Sequence, residues 1–339
     1  MNIDPVLPGF VDLQVNGYLG VDFSDADLSE DAFVHACRRL RAAGTVAFLP
    51  TIITSPLAVY ERNLKLMARI MSRAEFRGMI PGIHLEGPFL SSQPGAVGAH
   101  NPALVRKPDT DLLRRFLEWS DGFVRLITLA PELDGADQLA REAIAAGILV
   151  SAGHTLAGAS DLERLARAGA RLFTHLGNAL PPLLPKFENP IWACLADARY
   201  TAMVIADGHH LPDSVLLTIL RAKGLERIVV VSDASPVAGL PPGPYRTLGN
   251  DAILEPSGRL HNPQKGCLVG SSATLLQCMN HLAAISDLSA QELATIGFHN
   301  PLRLLGMDAR ALSVAPTYRL DPLSRRWTAA EDTARLRAP

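Results

Sequence analysis

The chain has 339 residues, 48% of them hydrophobic and 19% charged, with a formal net charge of -2. A near-neutral balance without a basic run excludes nucleic acid as the main partner, and no apolar stretch has the length of a membrane span. The start, MNIDPVLPGF, is not a signal peptide, and Cys37, Cys194, Cys267 and Cys278 show no CxxC spacing, so the expectation is a cytoplasmic protein with reduced, mostly buried thiols.

A Pro-Gly turn at 8–9 leads into the first apolar run, FVDLQVNG. Gln14 and Asn16 lie two apart in it, so a strand points both amides to one side, into the interior. A helical pattern at 30–43 follows and is stopped by Gly44. Further apolar runs lie at 45–54, 79–86, 123–131, 148–154, 171–175, 201–207 and 227–233, with helical patterns such as 136–146 and 212–223 between them. Runs rich in Val, Ile and Leu and bounded by turn residues are strands buried on both faces. About eight strand-helix alternations predict an α/β fold, a (β/α)8 barrel of the TIM type. Beyond it, 240–267 is punctuated by Gly and Pro, and ILEPSGRL predicts a hairpin turning at 256–258. Two helices are expected at 272–284 and 289–297, and TYRLDPLSRRW in the tail adds one or two strands before 328–339 frays. The barrel is expected to span 8–309, with the hairpin insertion near 240–268.

Ionisable residues gather at the ends of these strands. Glu86 ends the third in HLEGP, His154 the fifth in SAGH and His175 the sixth in FTHLGN, while ADGHH ends the seventh and Asp233 the eighth. Barrel strands open their C-terminal tips onto one face, where such folds keep their chemistry. One carboxylate and two imidazoles converging there fit Zn²⁺ or a similar divalent ion with a position open for water. A lone strand-end histidine is more often a hydrogen-bonded structural residue than a ligand, but His154 and His175 occur at matching tips of adjacent strands. A carboxylate at the position of Glu86 needs a cation or several donors. Asp233 reads either as a cap for the next segment or as a general base facing a metal water. His84 shares a side with Glu86 and is expected behind the ligands rather than among them. His35, His261, His281 and His299 read as structural or exposed.

The ordered set PGFVDLQVNG, HLEGPF, GAHNPALVRKPD, SAGHT, FTHLGNAL, IADGHH, VVSDA and LVGSSATL, running from about Pro8 to about Leu305, resembles the N-acetylglucosamine-6-phosphate deacetylases of the amidohydrolase superfamily. The resemblance implies a metal-dependent hydrolase barrel that removes acetate from an N-acetylated amino sugar, in a cytoplasmic homodimer. It implies one divalent metal per chain, zinc with iron, manganese or cobalt as alternatives, on Glu86, His154 and His175. Gln14 and Asn16 then stand where the superfamily usually has His-x-His for a first metal. Asp233 takes the role of catalytic acid/base, and His100 binds the sugar and polarises the acetyl carbonyl. Ala99, Asn178, Ala179 and His210 fall at sugar contacts. Leu268, Val269 and Gly270 border the acetyl pocket, with Val269, where the family often has a smaller residue, expected to narrow it.

Two departures stand out. The family's β-rich opening segment is not seen before Pro8, and the tail lacks its Gly-Lys-x-Ala-Asp signal, so 1–7 and 310–339 are expected to be a remnant of a small β domain or a tail. The family's phosphate-binding Arg after Asn-Ala-Met is also missing: NALPPLLPKFENPIW holds only Lys186, which is expected to reach a phosphate across the dimer interface, as the family's Arg does, but as a point charge without the bidentate fork. The alternatives are the same chemistry on a non-phosphorylated N-acetylhexosamine or another amide, or an inactive sugar-binding barrel. Intact Glu86, His154, His175 and Asp233 argue against the last, since a binding module needs no general base.

Overall fold

A computed structural model describes residues 5–312 and 316–330. Eight parallel strands form one sheet in sequence order: β1 Phe10–Val15, β2 Thr45–Ile53, β3 Ile83–Glu86, β4 Val124–Leu129, β5 Leu149–Ala152, β6 Leu172–Phe173, β7 Thr201–Ile205 and β8 Ile228–Val231. All residues of β1 and β2 are buried, as in strands covered on both faces, Asp12 and Gln14 of β1 included. The sheet closes between its first and last strands. Asp233 N donates to Gln14 O at 3.1 Å and Asn16 N to Ala234 O at 2.8 Å.

Helices α1 Glu30–Ala42, α2 Leu57–Met71, α3 Thr110–Trp119, α4 Ala136–Ala145, α5 Ala159–Arg167, α6 Pro190–Ala196 and α7 Asp213–Lys223 each follow a strand. Their ends are locally encoded. In α1, Ser29 Oγ accepts from Ala32 N at 3.2 Å, Glu30 and Asp31 fill the first turn, and Phe33, Ala36, Cys37 and Leu40 form the buried stripe. Burying Phe33 contributes about 1.5–3 kcal/mol, and its replacement by Ala would open a cavity beside Phe23.

After β8 the chain leaves the barrel. Where the sequence predicts one hairpin, the structure has a four-stranded antiparallel sheet, β9 Gly243–Thr247, β10 Asn250–Leu254, β11 Leu260–Asn262 and β12 Cys267–Leu268. Its central turn lies where expected, with Gly258 N donating to Glu255 O at 2.9 Å. Burial alternates along β10, and Ala252 and Leu254 join Leu248, Leu260, Val269 and Ile53 in an apolar cluster of their own. This sheet caps the C-terminal ends of the barrel strands.

Helix α8, Leu275–Ile285, completes the barrel. The helix expected to stop at Gly297 instead continues, from Ala290–Ala294 through a wider turn at Thr295–His299 into Asn300–Leu305. Gly297 is there for close packing: a Cβ would meet Met279 Sδ at 2.8 Å and Phe10 Cδ1 at 2.9 Å. The left-handed stop is Gly306, with φ of 65°. The tail forms a hairpin, β13 Tyr318–Asp321 and β14 Arg326–Ala329, to which Leu7 bridges and whose Trp327 packs edge-on against Phe10 at 5.3 Å. Fraying was expected over 328–339; Thr328 and Ala329 instead belong to β14, and 331–339 lie outside the described residues. Among the described residues no helix is long and apolar enough to cross a membrane.

Candidate metal centre and catalytic pocket

Glu86, His154 and His175, on the tips of β3, β5 and β6, bring their ligand atoms within 4.8 Å of one another, and all three are buried. His175 Nε2 lies 3.0 Å from Glu86 Oε1 and 3.1 Å from His154 Nε2. His154 Nδ1 pairs with the Ala96 carbonyl at 2.9 Å, which keeps the proton on Nδ1 and turns the Nε2 lone pair inward. Two imidazole nitrogens and a carboxylate oxygen aimed at one point are a donor set that a divalent cation satisfies, so the residues fit the expected metal. Burial opposes ionisation of Glu86, but hydrogen bonds with His100, His154 and His175 outweigh it and hold the carboxyl well below its usual range.

The backbone reaches this geometry at a cost that the sequence does not reveal. Among the described residues eight non-glycine residues have positive φ, and five of them, His154, His175, Ala179, Asp233 and Leu248, line this cavity. Left-handed backbone at such residues costs of order 1–3 kcal/mol and persists where the surroundings over-determine it.

Gln14 and Asn16 face the centre as their spacing requires. Gln14 Nε2 donates to Glu86 Oε1 at 2.7 Å and to Asp233 Oδ1 at 3.0 Å, and Asn16 Nδ2 donates to the same Oδ1 at 2.7 Å. Burial, and then the charge of Glu86, push the Asp233 carboxyl up to about 6. Gly270 permits the approach: a Cβ there would meet Asp233 O at 2.9 Å. Asp12, which the sequence reading passed over, lies on the same side of β1 and is 1% exposed. Its Oδ1 accepts from Ser232 N at 3.1 Å and from Gln14 N at 3.2 Å, and burial pushes the carboxyl up to about 7.

A cavity of about 390 Å³ opens above this floor, a size suited to a small molecule. Ala99, His100, Asn178, Ala179, His210, Leu268 and Gly270 line it. His100 Nδ1 faces Thr54 Oγ1 at 2.9 Å and accepts from Thr54 N at 3.4 Å, so its proton sits on Nε2. Burial, then the neighbouring His154, push His100 down to about 4. His210 is oriented by Asp207, whose Oδ2 lies 2.8 Å from His210 Nδ1 and accepts from Ser271 Oγ at 2.7 Å.

One expectation, that for Val269, changes. Val269 does not line the cavity; Cys267, Leu268 and Gly270 do, while Val269 is fully buried in the apolar cluster of the cap. His84 lies one step deeper in the barrel and pairs with Thr128 at 2.8 Å and Thr51 at 3.3 Å rather than with a ligand. Lys186 is exposed, stands 5.0 Å over the ring of Phe187 and does not line the cavity of its own chain. Thr54, Ala96 and Asp207 were missed; only Asp207, three residues before His210, carried a sequence signal.

A family model described as "Amidohydrolase family" matches residues 6–321. N-acetylglucosamine-6-phosphate deacetylase from Bos taurus is 34% identical over 315 residues, 89% of this chain and 75% of that protein. N-acetylgalactosamine-6-phosphate deacetylase from Escherichia coli O157:H7 is 30% identical over 312 residues, 91% of this chain and 80% of that one. Among solved structures, a mutant N-acetyl-D-glucosamine-6-phosphate deacetylase from Mycobacterium smegmatis, in complex with N-acetyl-D-glucosamine-6-phosphate, superimposes with a TM-score of 0.84 at 32% identity. The match covers 96% of this chain and 87% of that one.

Proposed function

The chain belongs to the amidohydrolase family, and from that premise we propose that it hydrolyses the acetamide of an N-acetylated amino sugar 6-phosphate, glucosamine or an epimer, to the amino sugar and acetate. The observation that carries this reading is Asp233 held by two neutral amides beside Glu86, His154 and His175 at the bottom of a sugar-sized cavity.

Glu86, His154 and His175 would hold one metal ion, zinc by the mixed nitrogen and oxygen donor set, with iron, manganese or cobalt as alternatives. Such an ion supplies Lewis acidity to a carbonyl and to water. Both amides donate to Asp233 Oδ1, so Oδ2 is the oxygen that takes the proton of the attacking water. The same carboxyl then returns that proton to the departing nitrogen, which is a poor leaving group until protonated. His100, neutral and with its proton on Nε2, donates to the carbonyl oxygen as negative charge develops there. Asn178, Ala179 and His210 bind the sugar ring, His210 in the orientation fixed by Asp207.

The reading also includes a cytoplasmic setting and a homodimer, in which the Lys186 segment would lie at the contact between copies. The exposed Leu183, Phe187 and Trp192 beside Lys186 support an interface there. Turnover of N-acetylglucosamine 6-phosphate, N-acetylgalactosamine 6-phosphate and the two free sugars, followed by acetate release, tests the proposal. Hydrolysis of at least one phosphorylated sugar is expected. Release of acetate from none of the four would overturn it.

A further inference from the structure

The cavity is charged unevenly. Its floor carries Glu86, Asp233 and three histidines, whereas among the described residues Lys265 is the only lysine or arginine on its wall. Lys265 was invisible as a site residue in the sequence, where it sits in the exposed turn between β11 and β12.

That turn is held in place. Asn262 Oδ1 accepts from Gln264 N at 2.9 Å and from Lys265 N at 3.1 Å, and Gly266 N closes onto Asn262 O at 2.9 Å. Asn262 Nδ2 donates to Asn250 Oδ1 at 3.2 Å, and Asn250 Nδ2 donates to the Ala99 carbonyl at 2.9 Å. Both asparagines are buried. This chain of amides ties the turn to the residue before His100. The Lys265 ammonium itself stands 3.4 Å from the Ala99 carbonyl, a long bond that engages one of its three donors.

We propose that Lys265 binds the phosphate of the amino-sugar substrate within its own chain and so sets the preference for phosphorylated over free sugar. The inference rests on the proposed deacetylase reading, which supplies the phosphate. The floor is acidic or histidine-lined and already committed, so a dianionic arm must lie toward the rim, where Lys265 is the one cation. Lysine serves a phosphate as a point charge without the bidentate geometry of Arg. The rival role for Lys265 is a latch that steadies the Ala99 carbonyl and through it His100. A latch would serve both sugars equally.

The test compares wild type, Lys265→Ala and Lys265→Arg on N-acetylglucosamine 6-phosphate and on free N-acetylglucosamine. Binding of glucosamine 6-phosphate and of glucosamine is measured beside it by calorimetry, without turnover. Lys265→Ala should raise KM for the phosphorylated sugar roughly ten- to hundredfold, the worth of a charged hydrogen bond, with little change in kcat. It should leave the free sugar untouched and weaken glucosamine 6-phosphate binding alone, and Lys265→Arg should restore most of both. Equal effects on the two sugars, or none on either, overturn the proposal. If wild type hydrolyses neither of these sugars nor either galactosamine counterpart, the deacetylase reading fails, and calorimetry still judges Lys265. Glucosamine 6-phosphate bound equally by wild type and Lys265→Ala overturns its role, and tighter binding by wild type upholds it.

Discussion

On the floor of the cavity the proposed catalytic and metal-holding groups are steadied by partners from other parts of the barrel. Asp233 has Gln14 and Asn16, His154 has Ala96, and His100 has Thr54. At the rim the anchors come from the cap itself: Asn262 fixes the turn at Lys265, and a chain of amides through Asn250 ties it to Ala99. The floor is built on strand tips of a closed sheet; the rim is built on a four-stranded sheet with its own small apolar cluster. Rigid elements hold chemistry within tight tolerances, while a separately packed cap can change what the chemistry is applied to. Floor substitutions should therefore act on kcat, and rim substitutions on KM.

The largest effect should come from the floor. Asp233→Asn keeps the hydrogen bonds of Gln14 and Asn16 but cannot carry a proton, so turnover should fall by about 10²–10⁴-fold. Elemental analysis should find one metal ion per chain in both proteins, and removal by a chelator should abolish activity. Two ions per chain at full occupancy, or an Asp233→Asn enzyme with most of its activity, would contradict this account of the floor.

Next comes the buried acid below the floor. The folded-state value of Asp12, about 7, lies above its ordinary 3.8. The folded protein therefore holds this proton more tightly than the unfolded chain. The stability it contributes is fully present below about pH 4 and is lost as pH rises through about 7. Asp12→Asn preserves an oxygen for Ser232 N and Gln14 N without the titration. It should exceed wild type in stability by on the order of 2 kcal/mol at pH 8, with the gain shrinking toward pH 4. Denaturant titrations at several pH values measure this, and a gain that does not change with pH would remove Asp12 as its source.

The rim should respond more mildly. Asn250→Ala cuts the link from the cap to Ala99 and should raise KM by about three- to tenfold with kcat little changed. A fall in kcat of the size expected for Asp233→Asn would show that the cap and the floor are one unit. Smallest of all is Lys186→Ala. With Lys265 on the cavity wall, KM for the phosphorylated sugar should stay within about twofold of wild type. A larger rise would return the phosphate to Lys186 and make the dimer part of the site.

The sequence by itself determined the barrel and marked the groups proposed to react. Unbroken apolar runs such as the one at 45–54 can only be strands covered on both faces, and Glu86, His154, His175 and Asp233 are marked by ending such runs. Strand periodicity also sufficed to aim Gln14 and Asn16 inward together. It would have aimed Asp12 there too, but nothing local says that a carboxyl at that position loses its water. The cap was legible only as a hairpin, because pairing of β9 with β10 and β11 with β12 depends on short strands with little pattern of their own. Lys265 lies 166 positions from Ala99, and Thr54 lies 46 from His100, so their meetings are set by which loop covers which strand tip. The left-handed backbone of His154, His175 and Asp233 belongs to the same class. Local patterns record burial and turn chemistry; only chain closure decides which distant groups share a cavity, and closure placed a cation at the rim and took water away from the floor.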